Sequence, residues 1–111
     1  MNTTKSTSLQ KEIDWQPGYE ELRKAAIVLR AINHKVRQQM LNLIHKNGEM
    51  TVSEIYAKLK MEQSRASAYL AILRKSGVVL TRREGQSIYY QVNYKRISVI
   101  EKGAIIINGL I

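Results

Sequence analysis

The chain has 111 residues, with 18 Lys+Arg against 9 Asp+Glu for a formal charge of +9, and no cysteine. That length allows one domain with a modest core, and the missing thiols exclude disulfides, zinc–thiolate centres and thiol redox switches. So basic a balance favours polyanions: nucleic acid, acidic lipid or an acidic protein.

The charge is concentrated in residues 60–96, where Lys60, Arg65, Arg74, Lys75, Arg82, Arg83, Lys95 and Arg96 face only Glu62 and Glu84. No basic segment followed by an apolar run opens the chain, so no signal peptide is expected. No run of about 18 apolar residues is present, so no membrane span is expected either, and the expected location is cytoplasmic.

Residues 1–18 read as a flexible arm: MNTTKSTS is polar, and Pro17-Gly18 punctuates the start of a helix. The remainder, 19–111, reads as one domain. From Tyr19 to about Arg30 a stripe of Leu22, Ala25, Ala26 and Leu29 recurs at helical spacing. Ile27 and Val28 lie off that stripe, which implies a second buried face, either against a partner subunit or within a deep core. Asn33 is placed to cap a second helix running through Lys46, with Val36, Met40, Leu43 and Ile44 inward. Asn47-Gly48 ends it. His34 and His45 are eleven residues apart on that helix, about 16 Å along its axis, too far to share a metal. They read as surface or capping histidines.

Thr51-Val-Ser-Glu54 fits a capping box, with Met50 and Ile55 placed as a hydrophobic staple. Ile55, Leu59 and Val52 face the core of this third helix. A short link, Lys60-Met61-Glu62, leads to EQSRASAYLAILRKSG, residues 62–77. There Ala66, Leu70 and Leu73 form one buried stripe, while Ser64, Ala68, Ala71 and Lys75 lie nearly opposite, flanked by Arg65 and Ser67. A surface of small and hydroxylated residues edged by cations lets a helix approach another rigid body closely and hydrogen-bond to base edges in a major groove. Gly77 accepts the left-handed conformation that stops a helix. Two short helices with a tight turn make a helix-turn-helix.

After Gly77 the period becomes alternating. Val78–Arg83 and Ser87–Val92 are rich in β-branched and aromatic residues, joined by Glu84-Gly85-Gln86. On the second strand Ile88, Tyr90 and Val92 share one side and Tyr89 and Gln91 the other. A helix-turn-helix followed by a basic hairpin is a winged helix. The expected class is therefore mainly α (α+β), with about five helices and a two-stranded wing. The tail from Asn93 is helical in pattern, with Ile97, Ile100, Ala104, Ile107 and Ile111 on one stripe and Gly103 and Gly109 lowering helix propensity. Apolar surface at a terminus of a chain that already has a core suggests burial between molecules. The expected dimer interface is Leu22, Ala26, Leu29, Ile97, Ile100, Ala104, Ile107 and Ile111.

Residues 25–92 resemble the ArsR/SmtB (arsenic-repressor-like) family of winged-helix transcription regulators. The similarity is carried by Leu29-Arg-Ala-Ile-Asn-His34-Lys-Val-Arg37, Met40-Leu-Asn-Leu-Ile44, Thr51-Val-Ser-Glu-Ile55, Gln63-Ser-Arg-Ala-Ser67-Ala-Tyr-Leu70, Leu73-Arg-Lys-Ser-Gly77 and Arg82-Arg-Glu-Gly85-Gln-Ser-Ile-Tyr-Tyr90. The resemblance implies a homodimer that binds operator DNA and is released by a small effector. The chain departs from the family pattern at Lys35, where proline is usual, at Ala68-Tyr69, where Arg-His is frequent, and at Glu62, where serine is usual. The third helix, Val52-Ser-Glu-Ile-Tyr56, lacks the metal sensors' cysteine motif. The last helix has no histidine and only Glu101 as a carboxylate, so no metal and no cofactor are expected.

The function expected from these features is a dimeric, sequence-specific DNA-binding regulator, a repressor, reading a palindrome with residues 63–75 and the wing 78–92. Gln63, Ser64, Arg65, Ser67, Ala68 and Ala71 would lie in the major groove; Thr51, Ser53, Lys75, Arg82, Arg83 and Gln86 would hold phosphates or reach the minor groove. Double-stranded DNA and a second copy are the expected partners, with no membrane partner. Two other readings remain open: a winged-helix module that docks a different protein, and an RNA-binding winged helix, though the wing tyrosines form no obvious stacking platform. An enzyme is not expected, since no paired carboxylates and no glycine-rich phosphate loop occur.

Overall fold

The computed structural model describes residues 16–110. The expected arm, 1–18, lies mostly outside them, as does Ile111. In chain order the elements are α1 (Gln16–Ile32), α2 (Lys35–Asn47), β1 (Met50–Thr51), α3 (Val52–Leu59), α4 (Gln63–Lys75), β2 (Val79–Glu84), β3 (Ser87–Val92), α5 (Tyr94–Ile97) and α6 (Val99–Leu110). Among the described residues, five longer helices and one four-residue helix therefore surround a small antiparallel sheet of order β1-β3-β2. The class is as the sequence implied, but the sheet has a third strand. Met50 pairs with Tyr90 and Thr51 with Tyr89. Two residues are too few to show a period, so β1 reveals itself only through its partner strand.

One core unites these elements. Val28, Met40, Ile44, Ile55, Leu70, Leu73 and Val78 are fully enclosed and pack together with Met50, Val79, Tyr90 and Val92. The stripe expected on α1 is rotated from its position in the sequence reading. Ala25, Val28 and Ala31 are its buried side chains among those described, while Ala26 and Leu29 face outward. The small side chains of Ala25 and Ala31 flank Val28, the larger residue that is fully enclosed in the core, and Ile32 packs against that core half-buried.

Capping explains where the helices begin and end. α2 is capped by His34 rather than by Asn33: the His34 Nδ1 accepts the Val36 N–H at 3.1 Å. Arg37 donates from Nε to the Ala31 carbonyl and from Nη2 to the Arg30 carbonyl, satisfying the open C-terminus of α1. The Thr51–Glu54 capping box of α3 is formed in both directions. Lys60 follows α3 with φ 54°, a left-handed conformation that makes the tight turn into α4 without glycine. The Glu62 side chain makes no cap on α4. After α4, Gly77 takes φ 86°, and the carbonyls freed there are taken up by Arg96 Nε on Ser76 at 3.0 Å and by Asn93 Nδ2 on Gly77 at 2.9 Å.

The tail is two pieces, broken at Ser98, and α6 lies antiparallel along α1 of the same chain: Gly18 is against Ile106 and Ala25 against Gly103. A Cβ on Gly103 would stand 2.7 Å from the Ala25 Cβ. The glycine expected only to weaken the helix is therefore what permits the two helices to touch.

Candidate nucleic-acid interface

α4 divides cleanly into two faces. Ala66, Leu70 and Leu73 have no exposed surface and hold the helix on the core. Gln63, Ser64, Arg65, Ser67, Ala68, Ala71 and Lys75 are all exposed. With alanine and serine at its centre, that face presents no side chain long enough to hold a second surface away, and its edges carry Arg65, Arg74 and Lys75.

The start of α3 joins the wing. Thr51, Val52, Ser53, Gln86, Ser87 and Ile88 line one hollow of about 240 Å³. Ser53 and Gln86 are exposed there. The Thr51 hydroxyl is already engaged: it accepts the Glu54 N–H at 3.3 Å and donates to the Glu54 carboxylate at 3.2 Å. A phosphate at this position would meet a hydroxyl shared with the helix cap.

The two wing arginines differ. Arg83 is exposed and opposite Ile88 in the ladder. Arg82 is held by two carboxylates. Its Nε and Nη2 reach the two oxygens of Glu49 at 3.0 and 2.8 Å, and Nη1 donates to Glu84. Gln91 Nε2 adds a bond to Glu49 at 3.2 Å, and the guanidinium lies 4.6 Å from the Tyr89 ring centroid. The hydrogen bonds from Arg82, ahead of its charge, hold the Glu49 carboxyl below the usual carboxylate range, and both carboxylates push the Arg82 guanidinium up. A bidentate fork of this kind is the strong form of the pair, though its exposure to solvent limits what it contributes. Arg82, expected to meet phosphate, thus clasps β2 and β3 to the segment entering β1. Glu49 gave no signal in the sequence, because only the β1–β3 pairing brings it to the wing.

Both histidines are occupied by structure. His34 caps α2, and the His45 Nδ1 shares a hydrogen bond with the Tyr94 hydroxyl, tying α2 to α5. Among the described residues no group of three or more His, Cys, Asp or Glu stands together as a metal site. No helix among them is long and apolar enough to cross a membrane.

The residues expected at a dimer interface fall into two sets. Ile97 and Ile100 are half-buried against the chain's own core, and Leu22 is half-buried near Gly103. Ala26, Leu29, Ala104 and Ile107 face outward, as does Ile105, which is 64% exposed. Ile111 lies outside the described residues.

A helix-turn-helix packed on one core, followed at once by a β-hairpin wing, defines a winged-helix protein. A model of the bacterial regulatory protein arsR family matches residues 34–81. The HTH-type transcriptional regulator MJ1325 of Methanocaldococcus jannaschii is 36% identical over 83 residues, 75% of this chain and 93% of that protein. The crystal structure of the transcriptional repressor PagR of Bacillus anthracis superposes with a TM-score of 0.67 at 31% identity, covering 76% of this chain and 95% of that one. HlyU of Vibrio cholerae superposes with a TM-score of 0.63 at 33% identity over 72% and 87% of the two chains. The chain belongs to the ArsR family of helix-turn-helix transcriptional regulators.

Proposed function

We propose that this regulator works as a homodimer that reads a palindromic operator and acts as a repressor. The observation that carries the reading is the α4 face. Leu70 and Leu73 anchor the helix from below, so its small, hydroxylated outer surface is free to enter a major groove. In this reading Gln63, Ser64, Arg65 and Ser67 hydrogen-bond to base edges, and Ala68 and Ala71 touch thymine methyls. Lys75, Ser53, Arg83 and Gln86 hold backbone phosphates. Thr51 and Arg82 take part through the geometry they fix, the cap of α3 and the set of the wing.

A twofold pair would place two α4 helices about one DNA turn apart and match a palindrome. The outward apolar residues Leu29, Ile105 and Ile107 supply surface for such pairing. The named relatives include a repressor, PagR, and an activator, HlyU. The repressor reading rests on a dimer that covers its operator.

Selection of bound duplexes from a random pool tests this directly. A single palindromic motif is expected, with affinity falling steeply as salt rises, because each neutralised phosphate releases counterions. Arg65→Ala should relax the sequence preference, whereas Lys75→Ala should weaken all duplexes alike. A monomer that ignores duplex DNA but captures one protein would move the function to a docking module instead.

A further inference from the structure

We propose that Tyr69 and His34 form a positioning stack that aims Arg65, making two residues outside the expected base contacts determinants of sequence preference. This rests on the DNA-reading role of α4 proposed above. The pile has three layers drawn from two helices. At its base, His34 closes the start of α2, and its Nδ1 accepts the Val36 N–H at 3.1 Å. An accepting nitrogen carries no proton, so the neutral ring holds its hydrogen on Nε2, and the cap fixes the plane of the imidazole. The Tyr69 ring lies on it with centroids 5.0 Å apart and planes tilted by 52°, within the range of favourable aromatic pairs. Tyr69 follows Arg65 by four residues on α4, the spacing at which helical side chains meet. The Arg65 guanidinium carbon is 5.7 Å from the Tyr69 centroid, within reach of the ring face.

The burial gradient fits that order. His34 and Tyr69 are half-buried and Arg65 is exposed. A free arginine loses rotamer freedom when a base immobilises it. Tyrosine has only two rotatable bonds, and here a ring from another helix already fixes one of its faces. Stacking on that surface removes part of the arginine's freedom before DNA arrives, which favours the one direction from which a guanidinium meets a guanine edge. His34 supplies an aromatic ring as a helix cap, and Tyr69 supplies the opposing ring. Neither ring contributes charge to a phosphate, so the stack acts on preference and not on general affinity.

The test compares binding to the selected palindrome with binding to a scrambled duplex of equal composition, for the full chain, three single variants, and Arg65→Ala with and without Tyr69→Leu. Tyr69→Phe keeps the ring and is expected to keep the ratio of the two affinities. Tyr69→Leu is expected to lower that ratio on the order of five- to tenfold, leaving scrambled-duplex affinity and the salt slope unchanged. His34→Asn retains a capping side chain but removes the ring, and is expected to lower the ratio by less. In an Arg65→Ala background Tyr69→Leu should change nothing further, since the two act as one unit.

Equal weakening of both duplexes by Tyr69→Leu, or an unmoved ratio, overturns the stack while leaving DNA reading intact. So does a Tyr69→Phe variant as poor as Tyr69→Leu, which would assign the effect to the hydroxyl. A wild-type chain with no preference between the duplexes overturns the reading of α4 itself, and the stack with it. Thermal unfolding of each variant runs alongside; if Tyr69→Leu fails to fold, His34→Asn decides by the same ratio.

Discussion

α4 and α6 are nearly the same length, 13 and 12 residues, yet they use their apolar residues in opposite ways. α4 confines its large inward side chains to a narrow stripe and encloses Leu70 and Leu73 completely. α6 is apolar most of the way round. Among its described side chains, Gly103 alone is buried, while Ile105 and Ile107 are 64% and 49% exposed. A helix anchored by its own core has an outer face free for recognition, whereas a helix apolar on all sides must cover the rest of its surface from outside the fold. The first pattern leaves the face that the proposed DNA reading uses, and the second leaves apolar surface for the proposed pairing of two copies.

The sharpest way to break that contrast is to remove an anchor. Leu73→Ala is expected to cost about 2–5 kcal/mol, since a fully enclosed side chain leaves a cavity, read from chemical unfolding. Next comes the seam between α6 and α1. Gly103→Ala places a methyl 2.7 Å from the Ala25 Cβ, and the helices must part at a cost of about 1–3 kcal/mol. The same scan on Gly109→Ala, where no atom lies within 4 Å of the added Cβ, is expected to show no such loss.

A smaller effect is expected at the wing. The folded Glu49 carboxyl lies below its ordinary value of 4.5 because Arg82 donates to it. The stability this pair adds is present above that value and is lost as pH falls through the lowered folded one. Glu49→Gln should therefore lower stability slightly at neutral pH, leave the strongly acid range unchanged and so flatten the acid limb of a stability–pH curve; an identical acid limb would remove the clasp from the wing's stability. The smallest effect on the fold is expected from Ile105→Asp, under about 0.5 kcal/mol for dilute monomer. The same change should shift sedimentation from dimer to monomer. A variant that sediments like the wild type would take Ile105 out of the interface.

Periodic and capping chemistry was legible on α3, α4 and β3, though on α2 His34 takes the cap expected of Asn33. Ala66, Leu70 and Leu73 emerged as buried, the Thr51–Glu54 box formed, and the alternation of Ile88, Tyr90 and Val92 on β3 matched the inward side. Contacts between distant segments were not legible. Glu49 and Arg82 are 33 residues apart, and His34 meets Tyr69 across two helices; neither pairing leaves a trace in local pattern. The α1 stripe was misjudged for a related reason. Alanines mark no strong direction, so the side facing the core was set by Val28 and by the approach of α6.

Local hydrophobic spacing and the chemistry of helix ends determined which segments fold, and from them the winged-helix class and the α4 face. These are short-range effects, written into neighbours along the chain. Tertiary structure decided how the charged and aromatic groups are shared out: Arg82 goes to Glu49 and Glu84, His34 supports Tyr69, and Gly103 makes room for Ala25. A side chain's charge is fixed by its residue type, but the partner that occupies it is fixed by what the completed fold brings within a few ångströms.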